Sequence, residues 1–336
     1  MRDGKGWRRL LERVFKRSSQ PTPELHIPGS MASVGDLPAE LMDPIVDHLV
    51  TNSPAETARD IATFRSLNKA TRQFVDGDPL VRRLQLPPRA IELAGKIFAK
   101  SYPRSGLPDI PGGARRMNDP ISAGDHLTAI GPVLRFLPGG ARSKVVDDVR
   151  ALRHPSARAD AVLALAKHSD FSCLPAQDRK FLIDEGIRLL GSGGNALTFR
   201  SVASAEAIVI VRHHMAPEQK FELDQKLSGN RRLKTLFETK LRESASHNEA
   251  AGAVPRARIS AGEIERLHRQ VQAVSRSIGF NRMFGGSSAE HKRLQKIGAI
   301  AQALSNGVGD DYSNARNEFL QRREIRYADR SESRGR

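Results

Sequence analysis

No long stretch of the chain is rich in β-branched or aromatic residues, and this limits the fold more than any other feature. Strands draw on such residues to fill a pleated, half-buried surface. Here Ala and Leu carry the apolar load, and both favour helices. Aromatics are 5 % of the 336 residues and apolar residues 39 %, which is enough for real cores but lean for a single large one. The length suits two or three domains. The expected class is all-α: a small N-terminal three-helix module, then a multi-helix domain with a repeat pattern, between disordered basic ends.

The single cysteine, Cys173, excludes an intrachain disulfide and a zinc site built mainly of cysteines. A chain without disulfides suits a reducing cytosol. Cys173 is flanked by Phe171 and Leu174 and reads as a small core residue, since no His/Asn arrangement marks it as a catalytic thiol. Net charge is +16. Residues 1–17 hold seven Lys/Arg and two acids; residues 321–336 hold six Arg and three acids. Half of the charge therefore sits in two short ends, a pattern of basic tails on a mildly basic body rather than one nucleic-acid-binding face. The longest apolar run, Ala161 to Ala166, stops at Lys167 and is far too short to span a bilayer. The N-terminus lacks the apolar stretch of a secretory signal peptide, so classical export is not expected.

Residues 5–17 place Trp7, Leu10, Leu11, Val14 and Phe15 near one helical face and Arg8, Arg9, Arg13 and Arg17 elsewhere. Such a helix could sit on an anionic membrane surface; a short helix packed loosely on the body, or frayed, is the favoured reading. Residues 18–35, rich in Ser, Pro and Gly, read as a linker. The expected organisation is 1–35 basic helix and linker, 36–80 docking module, 85–255 helical target-binding domain, 256–306 further helices and 307–336 arginine-rich tail. Ser101 to Asn118 is a weak stretch expected to separate the module from the middle domain.

The middle domain repeats itself faintly. Leu137-Pro138 is followed by Arg142, Val145, Val146, Asp147 and Leu152; Leu174-Pro175 is followed at the same offsets by Arg179, Leu182, Ile183, Asp184 and Leu189, 37 residues on. A second helix would match Val162 and Leu165 to Phe199 and Val202. Pro217, with Phe221, Leu223 and Leu227, starts a degenerate third copy out of register. A stacked array of helix hairpins would look like this; an irregular helical domain is the alternative. Ile264, Leu267, Val271, Val274 and Ile278 then form an apolar stripe. Gly285-Gly286 interrupts it, and Leu294, Ile297, Ile300 and Leu304 mark another helix. An irregular polar tail is expected from Arg322.

Residues 37–75 carry the most specific local signals. Asp43-Pro44 offers an N-cap and a first-turn proline for a helix with Ile45 and Leu49. Ser53-Pro54-Ala55-Glu56 is a capping box before a helix presenting Ala58, Ile61 and Phe64. A third helix presents Leu67, Ala70, Phe74 and Val75 and ends at Asp76-Gly77-Asp78-Pro79. A unit of about forty residues cannot bury all of these groups internally, so some must face a partner or another domain.

The pattern Leu37-Pro38-x-x-Leu41, Ile45, Leu49, then Asp60-Ile61, Phe64, Leu67, Lys69, Arg72 and Val75 resembles an F-box. Thr71 stands where that family has an aromatic, and the link Val50–Arg59 is longer than usual. Both move the resemblance toward the bacterial F-box virulence proteins related to VirF, as do Thr51-Asn52-x-Pro54-x-Glu56-x-Ala58 and, near the C-terminus, Ala315-Arg316-x-Glu318 and Ala328-Asp329-Arg330. The resemblance implies docking to a host Skp-type adaptor of a cullin ubiquitin ligase. It implies that Leu37, Pro38, Leu41, Ile45, Leu49, Ile61, Phe64 and Leu67 form the adaptor surface and the small core behind it. It also implies that Arg326, Arg334 and Arg336 form a C-terminal signal read by a type IV secretion coupling protein. Physically, a positive tail can be steered into an acidic receptor groove. The Ser-rich segment 18–35 would suit a type III signal, which the arginine-rich start fits poorly.

The remaining residues suggest no chemistry. His213-His214 would point to different sides of a helix, and with Glu218 beyond Pro217 they make a poor metal site. Gly191-Ser192-Gly193-Gly194 lacks the Gly-Lys-Ser/Thr of a phosphate loop and reads as a turn. Asp184-Glu185 and Asp147-Asp148 read as solvated helix charges. No cofactor, metal or catalytic residue is expected. The expected function is a non-catalytic effector, delivered into a host cell, that brings an unknown host target to the ligase. A basic nucleic-acid-binding protein, or a scaffold without a ubiquitin link, is the alternative.

Overall fold

The computed structural model describes residues 39–85, 87–110, 120–190, 198–250, 259–276 and 287–334, with backbone alone for 39–41, 246–250, 275–276, 287 and 326–334. Among the described residues the regular elements are helices and none is a strand, so the fold is all-α. The chain divides into two units. The first takes the described residues up to Pro87 together with Gly309–Arg336; the second is Pro88–Val308. The N-terminal basic helix and linker, the Gly191–Gly194 turn and Gly285-Gly286 lie outside the described residues.

The first unit contains α1 (Ala39–Leu49), α2 (Pro54–Arg65), α3 (Lys69–Gly77), α4 (Pro79–Leu84) and α15 (Asp310–Arg334). The second contains α5 (Pro88–Ser101), α6 (Ala123–Ile130), α7 (Gly139–Ala151), α8 (Pro155–His168), α9 (Ala176–Leu190), α10 (Phe199–Val211), α11 (Pro217–Ser228), α12 (Arg231–Ala250), α13 (Ala261–Arg276) and α14 (Ser287–Leu304). Proline stands in the first turn of α2, α4, α8 and α11, where its missing N–H has no helical partner to lose.

The second unit is a stack of helix hairpins. α6, α8, α10 and α12 pack in sequence as one row, and α7, α9 and α11 as a second. Each helix thus meets its counterpart in the next hairpin, the arrangement of a repeat array. α13 and α14 pack on α5 and α6, the first helices of the unit. They belong to the array's unit rather than standing apart from it.

Small residues let the first row pack closely. Ala157, Ala159, Ala161, Ala164 and Ala166 of α8 are buried, as are Ala203, Ala205 and Ala207 of α10. This is why so few aromatics suffice. Gly124 shows how tight the row is. A Cβ there would lie 2.2 Å from Asp160 Oδ2, the atom that accepts from Ser122 Oγ (2.7 Å) and from the Gly124 N–H (3.1 Å).

The repeat holds in the opening helices. Val145, Val146, Leu182 and Ile183 are all buried, as are Leu152 and Leu189. Neighbouring helices of the second row are linked by Ser143 Oγ donating to Asp178 (2.9 Å) and Gln219 Nε2 donating to Asp184 (2.5 Å). The correspondence fails in the second helices: Val162 is buried, but Phe199 is 38 % exposed.

Four local expectations are corrected. Residues 101–110 are not a separator between units: Tyr102 is buried and donates to Asp148 (2.5 Å), and Asp109 accepts from the Arg153 and His154 N–H groups. Glu185 is not solvated, and Asp184 is half-buried. Glu185 is buried and bonded to Arg158 (3.1 Å) and Arg188 (2.6 Å), while Asp184 accepts from Gln219. His213 and His214 do not diverge, because Arg212–His214 is a 3-10 turn. Their ring centroids are 3.9 Å apart, and His214 lies 5.5 Å from the Phe171 ring. Finally, the chain from Arg322 is helical to Arg334. A helix anchored in its first turns by buried Tyr312, Ala315 and Phe319 extends easily through Arg-, Glu- and Ala-containing sequence.

Candidate docking surface

The first unit is built from capped helices. α1 begins at Ala39, so Asp43 is not its N-cap and Pro44 lies inside it. An interior proline removes one i→i−4 hydrogen bond. Burial on both sides of it, by Met42, Val46 and Leu49, opposes that loss: these side chains are spaced four and three residues apart, on one helical face. The sequence reading missed Met42 and Val46. Ser53 caps α2, its side chain accepting from the Glu56 N–H at 3.4 Å. Asn68 caps α3 reciprocally with Thr71: Asn68 Oδ1 accepts from Thr71 N (2.7 Å) and Thr71 Oγ1 from Asn68 N (3.2 Å). Thr71 is fully buried and holds the α3 start. Asp78 caps α4 through the Leu80 N–H (2.8 Å).

The sequence-predicted residues separate into interior and surface. Leu49, Ile61, Phe64 and Val75 are fully buried, each such side chain contributing about 1.5–3 kcal/mol by leaving water. Phe74 meets Phe64 edge-on, with centroids 6.5 Å apart. Ile45 and Leu67 are half-buried and keep area free on the surface. Leu41 lies on α1, where only its backbone is described. Leu37 and Pro38 lie outside the described residues. Arg65 and Asp76 join α2 to α3 by two bonds of 2.8 and 3.0 Å. The Arg65 hydrogen bond holds the Asp76 carboxyl below its ordinary range.

A fifth helix completes the module. α15 packs along α4, whose Val81 and Leu84 are buried. Tyr312, Ala315 and Phe319 of α15 are buried as a single stripe. The Tyr312 hydroxyl reaches the long α1–α2 link, 2.8 Å from Thr51 O and 2.7 Å from Thr57 Oγ1. Arg316 Nε donates to the same Thr51 carbonyl (3.1 Å). Arg83 of α4 bonds Glu318 (2.7 Å) and Asp311 (3.4 Å), and Arg322 bonds Asp78 (2.7 Å). The C-terminal residues in the family resemblance, Ala315, Arg316 and Glu318, are thus those that meet the module. Part of the cover that residues 37–75 lack comes from the chain itself, about 250 residues away in sequence. The signal available in the sequence was the Tyr312, Ala315, Phe319 spacing.

Of the expected secretion residues, Arg326 and Arg334 lie on the α15 backbone, and Arg336 lies outside the described residues. Elsewhere, Cys173 is buried, and burial pushes its thiol up to about 12, far from a reactive thiolate at neutral pH. Among the described residues no group of three His, Cys, Asp or Glu side chains is placed to hold a metal ion. Among the described residues, no helix is long and apolar enough to cross a membrane.

No protein-family model, curated protein or solved structure matches the chain.

Proposed function

We propose that this chain is a secreted bacterial effector that works as an F-box-type substrate adaptor. The module would dock a host Skp-type adaptor of a cullin ubiquitin ligase, and the helix-hairpin array would hold a host target. The observation that carries this reading is the division of the F-box-like residues. Leu49, Ile61 and Phe64 form the interior, while Ile45 and Leu67 stay partly on the surface, as a preformed docking face requires. The protein performs no covalent step. It raises the effective concentration of target lysines near a ubiquitin-charged enzyme. The C-terminal arginines would be read by a secretion coupling protein before delivery to the host cytosol or nucleus.

A pull-down of a plant Skp-type adaptor by the full chain tests the reading. Wild type is expected to capture it, and Leu37→Ala with Pro38→Ala to lose it. Absence of capture by folded wild type refutes it. The closure of the module by α15 also suits a scaffold with no ubiquitin link, and the same negative result would favour that second reading.

A further inference from the structure

The last hairpin of the array carries an open groove of about 740 Å³, within the size range of ligand pockets. Val209 and Ile210 come from the end of α10, Arg212 and His213 from the 3-10 turn after it, Lys220 from α11, and Leu241, Ser244 and Ala245 from α12. Its apolar part is Val209, Ile210, Leu241 and Ala245. Leu241 is 36 % exposed, and Phe221, beside Lys220 in sequence, is 73 % exposed. Among the described residues, only Phe199 and Ile325 are other large apolar side chains left so open.

The charge around the groove is one-sided. Arg212, His213 and Lys220 line it, and among the described residues no acid does. Among the described residues, Arg212 and Lys220 enter no ion pair. Of the described acids on these helices, Glu206 bonds Lys167 (2.5 Å), Glu222 bonds Lys226 (3.2 Å) and Glu243 bonds Lys240 (2.8 Å), while Glu218, Asp224 and Glu238 lie outside the groove lining. Two unpaired cations beside exposed apolar groups select an occupant that is both acidic and apolar. The chain's own segment after α12, residues 251–258, has the wrong charge, with Arg256, Arg258 and no acid. Nucleic acid fits less well, because the described lining offers no Phe, Tyr or Trp for base stacking.

We propose that this groove docks a short acidic segment of another protein. One or two apolar side chains enter between Ile210 and Leu241, and flanking carboxylates meet Arg212 and Lys220. The apolar anchors supply most of the affinity and the charges mainly direct the approach. The inference does not depend on adaptor docking and is tested without an adaptor.

The probe is a fluorescein-labelled peptide of about twelve residues, a Leu-Leu-Phe core between Glu/Asp flanks, titrated with the full chain and read by anisotropy. Saturable binding near 1–50 µM is expected, as an order-of-magnitude range. Leu241→Asp, and separately Arg212→Glu with Lys220→Glu, should each weaken it about tenfold or more while circular dichroism stays unchanged. Replacing the core by Ser should abolish it. Arg231→Glu with Lys234→Glu, exposed on the same α12, should change it less than about twofold, a surface-charge effect. Absence of saturable binding overturns the proposal. So does equal loss in the control variant, insensitivity to Leu241→Asp, or displacement of the peptide by single-stranded DNA with a steep salt dependence.

Discussion

Tyr312→Phe tests whether α15 is a structural part of the docking module. The substitution keeps the ring, which is 2 % exposed, and removes only the hydroxyl. That hydroxyl contacts the Thr51 carbonyl and the Thr57 hydroxyl at 2.8 and 2.7 Å. Both partners keep other bonds: Thr51 O accepts from Arg316 Nε, and Thr57 Oγ1 accepts from Thr51 N at 2.9 Å. The loss is therefore partial, about 1–2 kcal/mol for a buried hydroxyl whose partners are incompletely satisfied. Amide hydrogen exchange of the full chain resolves the effect by segment. If α15 and the module open together, peptides from α1 through α4 should exchange roughly 5- to 30-fold faster, since about 1.4 kcal/mol is a factor of ten. Peptides from α6 and α8 should not change. Faster exchange confined to α15, with α1–α4 unaffected, would refute the view that this helix completes the module.

Other outcomes follow from the same contacts. Phe319→Ala should cost about 3–5 kcal/mol in the first unit, seen as an early melting step that leaves the helical signal of the second unit in place. Gly124→Ala should destabilise the second unit by at least about 1–3 kcal/mol, the usual range for overpacking, because its Cβ would sit 2.2 Å from Asp160; a chemical denaturation curve unchanged at the array's transition would count against the close packing of α6 on α8. His126 and His168 are held neutral chiefly by burial, which lowers both from the ordinary histidine value. A depressed folded pKa gives stability that is present above the unfolded value near 6.5 and lost as pH falls through the folded one. The second unit should therefore melt lower as pH drops below about 6.5, and a wild-type melting temperature that is flat from pH 7 to 5, or one that falls equally in the double His→Phe variant, would contradict this.

What the sequence made legible was local. Ser53-Pro54 marked a helix start because capping and proline act within one turn. The two Leu-Pro starts marked α7 and α9, and the Ile264 and Leu294 stripes marked α13 and α14. What stayed hidden depended on distant partners. Thr71 looked like a departure from a family pattern, yet its hydroxyl satisfies the Asn68 N–H. Pro44 looked like a first-turn residue, because the turn before it is anchored by Met42, whose burial no short-range rule reveals. Glu185 looked solvated until α8 placed Arg158 against it. α15 looked like the start of a loose tail, since its stabilising contacts are with Thr51, Thr57 and Arg83, more than 200 residues away.

The candidate docking face was legible only as a pattern. Its interior half, Leu49, Ile61 and Phe64, follows from helical periodicity. The partial exposure of Ile45 and Leu67 requires the packed module, and Leu37 and Pro38 lie outside the described residues.

The central claim is that this module docks a Skp-type adaptor, and the most direct test is calorimetric titration of the full chain with the purified adaptor. Binding with one-to-one stoichiometry is expected, weakened about tenfold or more by Ile45→Asp, which places a charge on the half-exposed face, and unaffected by Leu241→Asp in the array groove of the second unit. No heat of binding by folded wild-type protein across micromolar concentrations, or binding indifferent to Ile45→Asp, would contradict it.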